Sequence, residues 1–284
     1  MATKRYDYLK IHLAVLLFGG AGLFGKLIHI SSGGIVLGRA GLAAIFLIVL
    51  KKILKEDFTV KTGKDWQMFA LLGTVLAFHW IAFFESIQLS SVAIGVLTFS
   101  TFPIFTTLLE PLINKEKMEL SNLALALVAL VGVALVMPSM TFEHKDTQGA
   151  LWGIASGASF AVLTIISKNM ISAYSSNSVS LFQNGIAALV LVFFFHQDIL
   201  NASSTDWFYL ILLGFIFTGI AHTLFISSMQ NIKAQTASLI ASLEPVYGIL
   251  LAWLILHEVP TLRMFLGGSL ILGVAFFAMF REQK

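Results

Sequence analysis

The stretches ESIQLSSVAIGVLTFSTFPIF, Glu85–Phe105, and SSMQNIKAQTASLIASLEPVY, Ser227–Tyr247, lie 142 residues apart, half the length of this 284-residue chain. Aligned at that offset, Ser86 and Gln88 match Ser228 and Gln230, and Pro103 matches Pro245. Further on, Glu116 matches Glu258, and LVGVAL at 130–135 answers ILGVAF at 271–276. The earlier part repeats more loosely. Lys26 of LFGKLI faces Lys168 of IISKNM, and Arg39 and Gly41 of GRAGLAA face Gln183 and Gly185 of FQNGIAA. Self-similarity at a fixed period is weighed first because it sets the architecture.

Composition supplies the solvent. Hydrophobic residues make up 57% of the chain and charged residues 12%, against about a quarter charged in a soluble domain. A bilayer core takes about 20 apolar residues per helix. Windows of that kind occur at 9–29, 34–51, 66–87, 91–113, 119–138, 149–170, 176–196, 207–229, 234–256 and 262–281. The alternating ten-residue segments of a membrane barrel are absent. Ten spans divide five and five between the repeats, and an odd number turns the second repeat over. The sequence therefore predicts an all-α integral membrane fold of ten transmembrane helices as two inverted five-helix repeats, 9–138 and 149–281.

The positive charges give the orientation. With the N-terminus inside, the inner segments hold Lys4, Arg5, Lys10, Lys51, Lys52, Lys55, Lys61, Lys64, Lys115, Lys117, Lys233, Arg281 and Lys284, and the outer loops only Lys145 and Arg263. This asymmetry predicts cytoplasmic termini in the cell membrane, so the net charge of +3 needs no nucleic acid to explain it. The first apolar run is span-length and is read as an uncleaved helix. With no cysteine, disulfides and thiolate chemistry are excluded.

Within the spans, a few polar residues stand out. Glu244 is expected about ten residues from either end of its helix, too deep to reach water. Such an acid faces a wet cavity, pairs with a cation or hydroxyl, or is protonated, and it is a functional candidate by default. Pro103 and Pro245 are expected as helix breaks, freeing the carbonyls of Phe99 and Ala241. His79 with Trp80, His222, and the amides Gln183 and Asn184 are also deep, each open to a packing role or a cavity role. Tyr247 falls on the face of Glu244 at i+3. Arg39 is expected beside Glu85 or a substrate carboxylate. Lys26, Arg39 and Lys168 lie near span ends, where snorkelling also explains them. No spacing suits a metal, and FGGAGLFG at 18–25 lacks the Lys-Ser/Thr ending of a phosphate loop. No cofactor is expected.

A Lys ending the first helix, an Arg early in the second, a small-residue helix leading to Pro in the fourth and Glu soon after, in this order and largely repeated, resemble the EamA-type drug/metabolite transporter superfamily over about residues 11–280. Gln183 in place of a second Arg, and Phe102 where the other half has Glu244, depart from strict repetition. The resemblance implies a ten-helix carrier with helices 1–4 and 6–9 around a central cavity and helices 5 and 10 outside it. It also implies a small-metabolite substrate, amino acids leading, with export the expected direction. The cavity would take Glu244, His79, Trp80, Gln183, Asn184, His222 and Tyr247, with Arg39 and Lys26 toward its outer mouth. Proton coupling and the choice of monomer or homodimer stay open. The alternatives, an intramembrane enzyme or a channel, find no GxSxG or HExxH to build on.

Overall fold

The computed structural model describes residues 2–114, 120–137, 141–232, 237 and 240–282, and among these the chain is helical with no strand. Helix α1 (Ala2–Ala21) is followed by the single turn α2 (Phe24–Leu27), then by α3 (Ser32–Ile53) and α4 (Gly63–Leu89). A broken pair follows, α5 (Val92–Phe99) and α6 (Phe102–Asn114), and then α7 (Leu120–Val136). The second half opens with α8 (Lys145–Met170) and α9 (Ser176–Leu200). Next come α10 (Ser204–Gly214) and α11 (Ala221–Ser228), joined by a π-helical turn over Phe215–Ile220. The chain closes with α12 (Glu244–Leu251), which runs into a π-turn at Ala252–Leu256, and α13 (Leu262–Glu282).

Among the described residues, seven stretches are long and apolar enough to cross a bilayer: Tyr6–Leu27, Ser32–Ile53, Gly63–Leu89, Val92–Ile113, Lys145–Met170, Ser176–Leu200 and Ser204–Ser228. Three shorter apolar helices, Leu127–Val136, Glu244–Leu256 and Leu262–Val274, join them. Glu116, Lys115, Lys117, Lys233, Lys284 and the start of the helix expected at 234 fall outside the described residues. The helix starts follow capping chemistry. Ser31 and Ser175 cap α3 and α9, and the boxes Thr62/Asp65 and Ser203/Asp206 open α4 and α10. Each side chain takes a backbone N–H that the first turn leaves unpaired.

The two prolines correct the expectation of breaks inside continuous helices. Pro103 is the second residue of α6 and Pro245 the second of α12, each after a short non-helical step. A proline in a first turn forfeits no hydrogen bond, since that N–H has no helical partner. Glu244 is therefore not mid-helix but the first residue of a helix that starts inside the apolar bundle.

Helix α3 packs on α9, α4 on α8 and α9, α1 on α11 and α12, and α5 and α6 on α8. One contiguous apolar core runs through these elements, including Val15, Leu72, Phe84, Val96, Phe160 and Phe225. Helices α7 and α13 pair with each other beside it, where Gly132 and Gly267 bring the backbones together. Below, the end of the bundle at which α1 begins is its first face and the opposite end its second.

Candidate functional site

Arg39 of α3 is 2% exposed, in the middle of the bundle. Its guanidinium carbon lies 4.0 Å from the centre of the Trp80 ring and 5.3 Å from that of Phe84. Its Nε donates to Thr218 Oγ1 at 2.9 Å. The π-turn presents that hydroxyl, because Thr218 Oγ1 donates in turn to Leu213 O, five residues back, at 2.7 Å. Such turns insert a residue into a helix and re-aim its side chains. Cation–π contact and one hydrogen bond hold the guanidinium flat while most of its five donors stay unused.

The two histidines are set oppositely. His79 Nδ1 lies 3.0 Å from Ser156 O and 2.9 Å from Ser156 Oγ; with that hydroxyl donating to His79 O at 3.1 Å, Nδ1 donates to the carbonyl and Nε2 is left as an acceptor. His222 Nδ1 lies 3.2 Å from Asn184 Nδ2, which also donates to Ser180 O at 2.8 Å. The amide donates to that ring nitrogen, which places the proton of neutral His222 on Nε2. One ring thus offers an acceptor and the other a donor. Both rings are buried, and Trp80 meets His222 edge-on with centroids 5.5 Å apart.

Glu244 is buried at 5% exposure, and its carboxyl makes no hydrogen bond or ion pair with the described residues. It shares one cavity with Phe18, Ala21, Arg39, Leu76, His79, Trp80, Phe83, Phe99, Phe160 and His222, whose volume of about 30 Å³ has room for only a water or two with the side chains as they stand. Across this space the charges of Arg39 and Glu244 attract without direct contact. Phe83, Phe99, Phe160 and His79 form a continuous aromatic wall, with successive centroids 5.1–5.5 Å apart. The result is a closed apolar chamber with an anion-binding group, a cation-binding group and two imidazoles.

Of the residues singled out in the sequence, Glu244, His79, Trp80, His222 and Arg39 meet at this cavity. Asn184 and Gln183 stand behind it. Asn184 supports His222, and Gln183 Nε2 donates to Ser167 Oγ at 2.7 Å. Tyr247 lies against Gly19 of α1. Lys26 neither snorkels nor enters the cavity: its Nζ donates to Ser90 O at 2.8 Å. Lys168 likewise donates to Met229 O and, at 3.1 Å, to Ile232 O. Arg39 is not beside Glu85, whose carboxylate accepts from Ser32 Oγ at 2.6 Å. Phe18, Ala21, Leu76, Phe83, Phe99 and Phe160 went unread because in sequence a cavity phenylalanine looks like a core one.

The EamA-like transporter family model matches the chain twice, at residues 7–137 and 147–280. The uncharacterized transporter YxxF of Bacillus subtilis (strain 168) is 24% identical over 99% of this chain and 91% of its own length. An uncharacterized transporter of Archaeoglobus fulgidus is 26% identical over 95% of this chain and 94% of its own. A solved crystal structure superimposes with a TM-score of 0.71 over 99% of both chains at 16% identity, a likeness of fold alone. With both halves matched by one model and relatives aligned nearly end to end, the chain is a multi-pass membrane protein that belongs to the EamA-like transporter family.

Proposed function

We propose that this protein is a secondary transporter of small zwitterionic metabolites, amino acids first among them, acting as an exporter of the inner membrane by alternating access. The observation that carries the reading is the facing of Arg39 and Glu244 across an aromatic chamber. A substrate carboxylate on the guanidinium and a substrate ammonium on the carboxylate would each desolvate against an opposite charge, while an apolar side chain meets the phenylalanines. A zwitterion satisfies both groups at once. A neutral sugar satisfies neither, and a simple cation leaves Arg39 bare, an arrangement that costs several kcal/mol in such surroundings.

In this reading the two halves are inverted five-helix repeats with both termini cytoplasmic. The double family match and the equivalent bonds of Lys26 to Ser90 and Lys168 to Ile232, each pair 142 residues from the other, support it. Inverted repeats suit a site at their interface that is exposed to either side in turn. Glu244 carries the coupling proton when no substrate amine occupies it.

The test is counterflow in proteoliposomes loaded with a panel of amino acids, amines, sugars and nucleosides. Saturable exchange is expected for amino acids. Glu244→Gln should lower it by about 30-fold or more, since truncating one partner of a buried charge pair costs about 2–5 kcal/mol, and should flatten its pH dependence. Undiminished flux with an unchanged pH profile would falsify the role given to Glu244.

A further inference from the structure

The two faces of the bundle are closed by the same device. At the second face, the loop between α2 and α3 reaches the far half twice: Ser31 Oγ donates to Asp198 Oδ2 at 2.6 Å, and His29 N donates to Asp206 Oδ1 at 2.8 Å. At the first face, the loop between α8 and α9 reaches the near half twice: Ser175 Oγ donates to Glu56 Oε2 at 2.8 Å, and Tyr174 Oη donates to Asp65 Oδ2 at 2.6 Å. Ser31 and Ser175 are both helix-capping serines, and Asp65 and Asp206 are both third-residue acids of capping boxes. In each clasp, the two acids bracket a connection of the opposite half. Four carboxylates thus hold four donors from the other half of the chain, two at each end.

The clasps are built to different strengths. Lys51, fully buried, donates to Ser178 Oγ at 2.7 Å and lies 3.2 Å from Glu56 Oε2. Asn177 donates to the other Glu56 oxygen, and Lys61 N donates to Tyr174 Oη at 2.8 Å. The second-face clasp has no buried cation. Its one ring partner, His29 Nδ1, is 3.8 Å from Asp206, and the His29 side chain is 80% exposed. Charge-assisted hydrogen bonds to a buried group are the stronger kind.

We propose that these clasps are the two gates of the carrier: Ser31–Asp198 with His29–Asp206 closes the second face, and Ser175–Glu56 with Tyr174–Asp65 closes the first. The cavity opens by releasing one clasp while the other holds. The clasp with Lys51 is the tighter, so the empty carrier opens at the second face more often than at the first. The inference rests on the alternating-access reading above, and its test needs no substrate.

The chain has no cysteine of its own, so Ala21→Cys in the cavity wall supplies a single reporter thiol. It is labelled with a membrane-impermeant maleimide from either side of oriented membrane vesicles. The locks are Ser31→Cys with Asp198→Cys, or Ser175→Cys with Glu56→Cys, bridged after folding by a short thiol-reactive linker that a reductant cleaves. Reversal by the reductant separates a lock from misfolding.

Bridging the second face should cut labelling from that side at least about tenfold and leave first-face labelling equal or higher, as a two-state equilibrium with one state removed requires. Bridging the first face should do the reverse, and the unbridged protein should label faster from the second face. Labelling indifferent to both bridges overturns the gates, and equal rates from the two sides overturn the inequality between them. Counterflow in parallel vesicles that carry the bridging cysteines but keep Ala21 keeps the two readings apart. Gated labelling without flux of any panel compound leaves the gates standing and removes the substrate class, whereas flux that survives a bridge removes the gates and leaves a carrier.

Discussion

The two helix breaks are alike in backbone and opposite in chemistry. In the first half the chain breaks after Phe99 and resumes at Phe102, whose ring is fully buried and stacks on Phe99 at 4.9 Å. In the second it resumes at Glu244, which faces the cavity. Each break is covered by a glycine of the other half. Gly157 of α8 lies against Phe99 O and Phe102 N, and Gly19 of α1 lies against Tyr247 Cβ and Glu244 O. The scaffold is thus duplicated while the reactive group is not. On the alternating-access reading proposed above, a carrier built this way would keep two equivalent pivots and read its substrate from one half only.

Exchanging the chemistry is the hardest test of that comparison. Phe102→Glu places a carboxylate among Phe99 and Phe160 with no cation beside it, and should destabilise the protein by about 3–5 kcal/mol in a detergent melt. Glu244→Gln should leave the melt nearly unchanged while removing transport. Equal damage by the two substitutions would mean that the halves are chemically interchangeable. The glycines come next. A Cβ on Gly157 would meet Phe99 O at 2.8 Å and one on Gly19 would meet Tyr247 Cβ at 2.6 Å. Gly157→Ala and Gly19→Ala should each cost about 1–3 kcal/mol by overpacking, with Gly19→Ala at least as severe because Tyr247 Cβ is fixed to its backbone and Gly248 N and Glu244 O lie behind it at 3.0 and 3.1 Å. A tolerated alanine at either position would show that its pivot is loose.

Smaller effects sharpen the contrast between the faces. Burial pushes the Glu56 carboxyl up, but hydrogen bonds from Ser175, Asn177 and Lys51 together outweigh it and hold it below the ordinary range. A carboxylate depressed in the folded state contributes fully above its unfolded pKa, near 4.3 for Glu, and loses that contribution as pH falls through the lower folded value. The ratio of first-face to second-face labelling of Ala21→Cys, in which the thiol's own ionisation cancels, should therefore stay level from about pH 8 to about pH 5 and climb only under stronger acid. A rise near neutrality would mean that Glu56 does not hold this face. Lys55, in the left-handed region at φ 53, makes the turn that returns Glu56 to Lys51. Lys55→Gly removes that strain but frees the unfolded chain, and the two should nearly cancel, within about 0.5–1 kcal/mol. A large loss would mean that the Lys55 side chain, not the turn, holds the clasp.

The apolar runs were legible in the sequence, because a bilayer demands long uninterrupted helices, whereas the caps Ser31, Thr62, Ser175 and Ser203 that set their starts went unread. His79, Trp80, His222 and Glu244 are legible as polar or amphipathic groups at depth, whereas the sequence sets Arg39 near a span end and offers Gln183, Asn184, Tyr247 and Lys26, which do not line the cavity, on the same footing. What escaped was geometry set by distant partners. Lys51 looked like one more cytoplasmic positive charge, yet it is sealed against Ser178, 127 residues on. Asp198 and Glu56 drew no notice, because nothing near them in the sequence names their partners Ser31 and Ser175. No propensity marks Phe215–Ile220 as a π-turn, since it exists to aim Thr218 at Arg39. Glu244 was placed mid-helix because hydropathy sees an unbroken apolar run where the backbone stops and restarts.

That restart has an electrical side. Helices α6 and α12 both begin within the bundle, at Phe102 and Glu244. Each helix start carries about half a positive elementary charge from its aligned peptide dipoles. Each break also ends a helix, at Phe99 and at Ala241, so the half-charge of each start faces the opposite half-charge of the end before it. The two breaks are thus back-to-back dipoles buried in the apolar bundle, and only the second sets an acid, Glu244, on its positive side.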